Sequence, residues 1–351
     1  MREQQVTRIA GAGLSGLATG IGLAQAGRAV EVFESGRDSG WEREGDWDAV
    51  ENWTTESDFA DLLDQWKVSQ SFACRPVKSF EIYDPGGKCH SVSASRPILY
   101  LVNRGNQKGA LEHALKEQAL NCGVNIHYNE RRSQQDVDVW AVGAEHRGQF
   151  LAAGLQFQTR HPDAVKLLIG TRHAPKAYVY LFIADGEGVL SVVLTRDFKN
   201  ARAYLNRSLE FFQKVLPLDV RNMRMTSGFG GRLTHFWKGE RVPLRVGEAA
   251  GFQDYLWGFG IRYALQSGIL ASQAISQGAN NDQINRSQIR PLVHASLFSR
   301  AVYDRVGDRT YRLMIEILSR SPRLVEQLRR YSRVWIPNSL LSLLKRVQPG
   351  V

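Results

Sequence analysis

The sequence predicts a mixed α/β fold in which two regions interleave and a mostly helical region follows. Three observations support it: a β-turn-α-β pattern over residues 6–34, a change to strand-like texture over residues 150–194, and helical periodicity after residue 261. The 351 residues are enough to bury a substantial core. With 43% hydrophobic and 23% charged residues, the composition is that of a folded globular protein and excludes a disordered or fibrous chain.

The N-terminal unit begins with an apolar strand at residues 6–10. A helical pattern through residues 14–23 follows and ends at Gly27, and residues 29–33 alternate as a second strand. One compact β-turn-α-β unit is typical of a Rossmann-type dinucleotide-binding domain.

The turn of this unit carries a phosphate-binding pattern, since residues 11–16 read GAGLSG and fit GxGxxG. Gly11 permits the tight turn, Gly13 lets the backbone approach a pyrophosphate, and Gly16 allows close helix-to-strand packing. The following helix N-terminus favours phosphate charge. Glu34 ends the second strand, where a carboxylate binds ribose hydroxyls and disfavours a 2′-phosphate. The pattern predicts a dinucleotide site without deciding between NAD and FAD.

The rest of the chain alternates between the two kinds of pattern. Residues 35–60 are expected to be loop-like, and their tryptophan-bearing part, residues 40–53, is either a lid over a cofactor or disordered. Strands are expected at residues 79–83, 98–102, 124–128, 137–142, 178–183 and 189–194, and helices at residues 59–66, 110–121, 201–215 and 261–275. Residues 84–87 and 185–188 are expected to be turns, the second closing a hairpin.

A second glycine-rich segment distinguishes the cofactors by family resemblance. Residues 244–276, LRVGEAAGFQDYLWGFGIRYALQSGILASQAIS, resemble the second FAD signature of geranylgeranyl-reductase-like flavoproteins, within the p-hydroxybenzoate hydroxylase-type superfamily. Residues 100–104 with Leu111, Glu112 and Leu115 are similar to the arginine and helix segment of that family. Residues 140–143 and 174–181 resemble its A-T-G-like strand end and its P-K-G-Y strand, so the resemblance extends along most of the chain.

The resemblance implies a set of FAD-binding residues and a domain order. The pyrophosphate would be held by the turn at Gly11, Gly13, Leu14, Ser15 and Gly16. Glu34 would bind the adenosine ribose, Arg104 would contact the dinucleotide backbone, and Gly143 would also lie at the cofactor. Gly247 and Glu248 would lie along the ribityl chain, and the flavin ring would face the main chain of Gly258, Phe259, Gly260 and Ile261. The FAD-binding domain would comprise residues 1–75, 101–150 and 236–280, the antiparallel substrate domain residues 76–100 and 151–235, and the helical region residues 281–351.

The chain departs from the family pattern at three places. Glu248 stands where the family has aspartate, and Tyr255 and Phe259 replace its usual proline and glutamate. The link between residues 128 and 137 is short, so part of the usual insertion in the FAD domain is missing. The flavin is still expected to bind, in a more aromatic setting.

Tyr255, Trp257 and Phe259 are the candidate pocket residues, and no catalytic acid or base is assigned. An aromatic wall over the flavin would suit a small apolar substrate, isoprenoid-like or polyketide-like, whereas the same side chains could simply pack the turn. His235 and Trp237 lie upstream, and a contact with the same pocket is one alternative, but a lone histidine is more often structural.

Charge and cysteine content limit the other options. The net charge of +10 permits an anionic partner, yet no nucleic-acid recognition motif is visible and none is expected to bind. Residues 334–347 mix apolar and basic side chains and could contact a membrane peripherally or dock on the core. The three cysteines, Cys74, Cys89 and Cys122, form no CxxC pair, so no metal site or disulfide relay is expected. The absence of a secretory signal pattern favours the cytoplasm.

The resulting functional hypothesis is an FAD-dependent oxidoreductase, with a reductase favoured and NAD(P)H or another reductant as electron donor. A monooxygenase is the first alternative, and a flavin-binding cyclase or non-redox protein is the second. Halogenation is disfavoured because residues 334–337, VWIP, match only the tail of the halogenase W-x-W-x-I-P run. The sequence leaves the oligomeric state open.

Overall fold

The computed structural model describes residues 6–144, 148–231, 243–278 and 287–332. The helices are α1 (Leu14–Gln25), α2 (Phe59–Gln65), α3 (Leu111–Asn121), α4 (Ala201–Val215), α5 (Ile261–Gln277), α6 (Arg290–Arg305), α7 (Asp308–Ser319) and α8 (Leu324–Ser332). The strands are β1 (Thr7–Ala10), β2 (Val30–Glu34), β3 (Asp46–Glu51), β4 (Cys74–Val77), β5 (Ser79–Tyr83), β6 (Cys89–Ser93), β7 (Leu99–Arg104), β8 (Asn125–Tyr128), β9 (Val139–Trp140), β10 (Phe150–Gln158), β11 (Ala164–Leu168), β12 (Tyr178–Ala184), β13 (Glu187–Leu194), β14 (Arg221–Gly230) and β15 (Leu244–Arg245).

A five-stranded parallel sheet in the order β15-β9-β1-β2-β8 forms the first half of the molecule. Helices α1, α3 and α5 share one apolar core with this sheet. Helices α1 and α5 pack very closely, since a Cβ on Gly22 would overlap Ser272 and one on Gly268 would overlap the backbone of Ser15. The sheet therefore draws on three separate stretches of the chain, and the N-terminal β-turn-α-β prediction is confirmed.

A seven-stranded sheet in the order β14-β10-β13-β12-β11-β5-β6 forms the second half. All its neighbouring strands are antiparallel except β5 and β11, and β12 and β13 form the predicted hairpin. Strand β12 reads YVYLFIA, and its alternate residues Val179, Leu181 and Ile183 pack with Leu205 and Phe212 of α4. Because side chains alternate along a strand, the aromatic residues between them face away from α4.

Residues 35–60 are not loop-like throughout, which corrects the sequence prediction. They contain a short 3-10 turn at Trp41–Arg43 and strand β3, which pairs with β7 in a three-stranded antiparallel sheet of order β3-β7-β4. The glycine-rich composition suggested a loop, but pairing with β7 satisfies the backbone and buries Trp47. Strands β4, β6 and β14 were also missed by the sequence patterns.

Helices α6, α7 and α8 follow the second glycine-rich segment, as the predicted helical C-terminal region requires. Tyr303 of α6 stacks on Tyr311 of α7 with ring centroids 4.4 Å apart, and both belong to a cluster with Ile82 and Ile169 of the large sheet. The helices thus pack beside that sheet. Within the described residues, no helix is both long and apolar enough to cross a membrane.

Candidate active site

A cavity of about 2840 Å³ extends from the carboxyl ends of the parallel strands to the space between the large sheet and helices α6 to α8. Its first part is lined by the glycine-rich turns, and its second part by aromatic and aliphatic side chains. Ligands of open parallel sheets bind outside the carboxyl ends of the strands, so the first part is where a dinucleotide is expected.

The turn between β1 and α1 is shaped to accept a phosphate group. Gly11 has φ +99°, a conformation that favours glycine, and a Cβ at Gly16 would overlap the carbonyl oxygen of Gly11. A Cβ on Gly13 would meet no atom within 4 Å, because that position faces open space in the cavity. Helix α1 begins after Gly13 without a side-chain cap. Its first backbone N–H groups are therefore placed for an anionic ligand.

Glu34 ends β2 at the wall of the cavity, beside this turn. Its carboxylate accepts hydrogen bonds from the backbone N–H of Ala12 at 2.8 Å and of Gly36 at 2.7 Å. These two bonds fix the carboxylate orientation next to the phosphate-binding turn. A carboxylate retains further acceptor capacity, which can receive ribose hydroxyls.

Arg104 lines the cavity but its guanidinium is held by carboxylates of the protein. Its Nε donates to Glu112 at 2.8 Å, and an Nη donates to Asp48 at 2.5 Å. The guanidinium Nη1 of Arg43 lies 3.3 Å from the carboxylate Oδ2 of Asp46. Burial, together with the negative charge of Asp48 nearby, raises the pKa of Asp46 to about 6. The predicted contact of Arg104 with a dinucleotide therefore stays a prediction, and the structure shows a four-residue charge network around it.

The second glycine-rich segment contributes the opposite wall. Gly247 is buried and its N–H donates to Ser267 at 2.9 Å, so it supports the turn, whereas Glu248 lines the cavity. Burial raises the pKa of Glu248. Gly258, Gly260 and Ile261 also line the cavity at the start of α5, which has no side-chain cap at Gly260.

The three predicted pocket residues separate in the structure. Trp257 and Phe259 line the cavity, where Trp257 packs edge-on against Tyr178 with centroids 5.5 Å apart. Tyr255 is instead fully buried in the cluster around Tyr263, and its hydroxyl donates to the carbonyl of Gly251. Packing of the turn is therefore the role that the structure gives Tyr255.

The second part of the cavity, the apolar chamber, has predominantly apolar walls. Its walls come from the face of the large sheet that points away from α4 and from the inner faces of the C-terminal helices. The apolar lining comprises Phe80, Ile82, Val92, Leu167, Ile169, Tyr178, Tyr180, Phe182, Tyr303, Tyr311, Met314, Ile315, Leu318, Leu324 and Leu328. Such a surface suits an extended apolar molecule.

Beneath the start of α5 lies a buried charged pair that the sequence patterns did not indicate. Arg262 and Glu51 of β3 are each 1% exposed and lie 2.8 Å apart. Asp254 is buried near them, accepts a hydrogen bond from the N–H of Trp257 at 2.6 Å, and has its pKa raised to about 7 by burial and by the charge of Glu51. These contacts fix the turn that carries Trp257 and Phe259.

Arg300 is a cavity residue that the sequence patterns did not indicate. Trp53 and Arg43 also line the cavity, and both belong to residues 40–53, for which a lid over a cofactor was one of the two alternatives. Arg300 of α6 is buried, lies over the ring of Tyr303 at 4.6 Å, and donates to the carbonyl of Lys176 at 2.7 Å. Its only sequence signal was an arginine within an apolar helical pattern, which does not by itself indicate burial at a cavity.

Several sequence predictions fall outside the described residues, namely those on His235, Trp237 and residues 334–347. Leu14, Ser15 and Gly143 line the cavity, and their contact with FAD stays a prediction. Cys74, Cys89 and Cys122 are free thiols. Among the described residues, no group of three or more histidine, cysteine, aspartate or glutamate side chains could hold a metal ion.

Comparison with known proteins identifies the fold. No family model and no curated protein matches the chain. Among solved structures, a geranylgeranyl bacteriochlorophyll reductase-like protein from Thermoplasma acidophilum aligns with a TM-score of 0.72 at 15% identity, covering 98% of this chain and 100% of that one. A flavin-dependent brominase aligns with a TM-score of 0.64 at 14% identity, covering 98% of this chain and 99% of that one. The p-nitrophenol 4-monooxygenase from Pseudomonas putida aligns with a TM-score of 0.63 at 14% identity, covering 94% of this chain and 99% of that one. The chain therefore shares the fold of these three proteins, and the fold class predicted from the sequence is confirmed.

Proposed function

We propose that this protein is an FAD-dependent oxidoreductase that acts on an apolar substrate, with reduction as the favoured direction. The observation that carries the proposal is the continuity of one cavity from the glycine-rich turns to the apolar chamber. A dinucleotide bound at the turns would bring its reactive ring toward a substrate in the chamber. When bound, FAD would supply the hydride chemistry of the reaction.

The residues at the turns fit this cofactor. Open space at Gly13, the uncapped start of α1 and the carboxylate of Glu34 match a pyrophosphate next to a ribose. At the other wall, the uncapped start of α5 at Gly260 places backbone N–H groups and the positive end of a helix at the cavity. That end would stabilise negative charge on a reduced ring.

The protein's own residues would do the rest by placement and exclusion of water. Trp257 and Phe259 border the chamber beside the turn, and Tyr178 fixes that turn by donating its hydroxyl to the carbonyl of Trp257. The same aromatic surface would hold an apolar substrate against the flavin. Isoprenoid-like and polyketide-like molecules have the required character.

The cofactor is tested by the visible absorption spectrum of the purified protein after incubation with FAD, followed by release and mass identification of the chromophore. Wild type is expected to retain FAD. Gly13→Ala is expected to lose it while remaining folded, because the added methyl group enters open cavity space. Gly307→Ala is the matched control: it also precedes a helix and meets no atom within 4 Å, yet lies outside the cavity lining.

A wild-type protein that cannot be reconstituted with FAD would refute the proposal. Equal FAD retention by Gly13→Ala and wild type would show that the cofactor does not lie on this turn.

The direction of the reaction is tested with the reduced holoprotein under anaerobic conditions. A reductase is expected to be reoxidised by an unsaturated apolar compound in the absence of oxygen, with NAD(P)H or another donor restoring the reduced form. Substrate-stimulated oxygen consumption, with hydroxylated product, would identify a monooxygenase instead. A product of unchanged redox state would indicate a cyclase.

A further inference from the structure

The outer face of α7 carries apolar side chains that no described part of the chain covers. Leu313, Met314 and Ile317 are 56%, 42% and 58% exposed, whereas Tyr311 and Ile315 on the inner face are buried. Residues four apart lie on the same side of a helix, so Leu313 and Ile317 form one outward stripe. Exposed large apolar residues grouped on one face indicate an interaction surface.

Basic side chains surround this stripe. Residues 308–323 contain four arginines against two carboxylates. Arg309, Arg320 and Arg323 are exposed, and one of the two carboxylates, Glu316, pairs with Arg320 at 2.7 Å. An apolar stripe with a basic border matches a surface of anionic lipid, where apolar side chains insert and arginines bind headgroups.

The same helix borders the mouth of the apolar chamber. Met314 lines the cavity and is also partly exposed, so it lies on the rim where the cavity reaches the surface. Leu318 and Leu328 line the cavity behind it. The apolar lining of the chamber is therefore continuous with the apolar outer face of α7.

We infer that α7 docks in the interface of an anionic lipid bilayer, with Leu313 and Ile317 inserted and the chamber mouth at Met314 facing the lipid. A second copy of the chain is a poorer occupant. Stable dimers bury on the order of 1,200–2,000 Å² in total, far more than a twelve-residue helix with three exposed apolar residues offers. The arginines would also repel their copies. Docking is independent of the cofactor, whereas entry of an apolar substrate from the bilayer rests on the proposed function.

The test is co-sedimentation of the full chain with vesicles of phosphatidylcholine, alone or with phosphatidylglycerol added as one third of the lipid. Wild type is expected to bind the anionic vesicles more strongly. Leu313→Ser with Ile317→Ser is expected to weaken binding about tenfold or more, because two inserted side chains are lost. Arg309→Gln with Arg320→Gln is expected to reduce the preference for anionic over neutral vesicles about tenfold.

The matched control is Met223→Ser with Met225→Ser, which removes two similarly exposed apolar residues, 60% and 58% exposed, from β14. This control is expected to bind as wild type. The inference is overturned if wild type binds neither kind of vesicle, or if Leu313→Ser with Ile317→Ser binds as strongly as wild type. It is also overturned if wild type is a dimer and this variant is a monomer, because a second copy of the chain would then be the occupant of the stripe. FAD retention, measured on the same samples, reports on the proposed function separately.

Discussion

The buried pair of Arg262 and Glu51 offers the sharpest test of how the fold supports the site. The pair joins β3 to the first turn of α5, whose Gly260 and Ile261 line the cavity. Arg262 also donates to Gln266 at 2.9 Å. Removing one member of such a pair leaves the other charge buried without its partner, which costs about 3–5 kcal/mol of folding free energy. Arg262→Met and Glu51→Met are each expected to lose that amount.

Replacing both members by apolar residues of similar size is expected to restore most of the loss. The double variant with methionine at both positions buries no charge, and such replacements are neutral or stabilising in other proteins. The free energy of unfolding of the four proteins is measured by urea denaturation followed by circular dichroism. Single variants within about 1 kcal/mol of wild type would refute the burial of the pair. A double variant that loses as much as the two singles combined would refute the electrostatic reasoning.

Three further predictions concern stability and the cofactor. Asp254→Asn is expected to flatten the pH dependence of the free energy of unfolding between about pH 4 and 7. In wild type the native pKa of Asp254 is about 7, so over this range the native state binds a proton that the unfolded state has released. The stability of wild type therefore falls by up to about 1.4 kcal/mol per pH unit as pH rises, and the variant lacks this contribution. Gly16→Ala is expected to lower both the unfolding midpoint and FAD retention, because its methyl group overlaps the backbone of Gly11. Leu205→Ala is expected to cost about 2–5 kcal/mol by opening a cavity beneath the large sheet, whereas the exposed Leu120→Ala changes stability by less than about 0.5 kcal/mol.

Each of these predictions has a measurement that contradicts it. Urea midpoints across pH that are parallel for wild type and Asp254→Asn would show that the pKa of this carboxyl is not raised in the native state. A Gly16→Ala protein with wild-type midpoint and full FAD retention would show that the turn is looser than the structure has it. Equal losses for Leu205→Ala and Leu120→Ala would contradict the burial of α4 against the sheet.

Local signals in the sequence determined much of the half that contains the parallel sheet. Gly11 has a positive φ, Gly16 has no room for a Cβ, and Gly13 leaves open space in the cavity. The helix that contains Gly16 and strand β2 are adjacent in the chain, so the pattern and the structure agree. The helix at Ala201–Val215 matched its predicted bounds because its apolar period is strong. In these segments the turn and the pairing of β1 with β2 involve residues that are near one another in the chain.

The tertiary structure decided the elements whose partners are remote in the chain. Strand β3 exists because it pairs with β7, and β14 because it pairs with β10, and neither partner is visible in a local window. Tyr255 is core while Trp257 is cavity wall because the backbone N–H of Tyr255 is held by Ser296 of α6, 41 residues away. The sequence by itself determined the glycine-rich turn between β1 and α1 and the fold class. Only packing between distant segments determined the apolar chamber and the charges buried beneath it, because burial depends on what covers a side chain rather than on its neighbours in sequence.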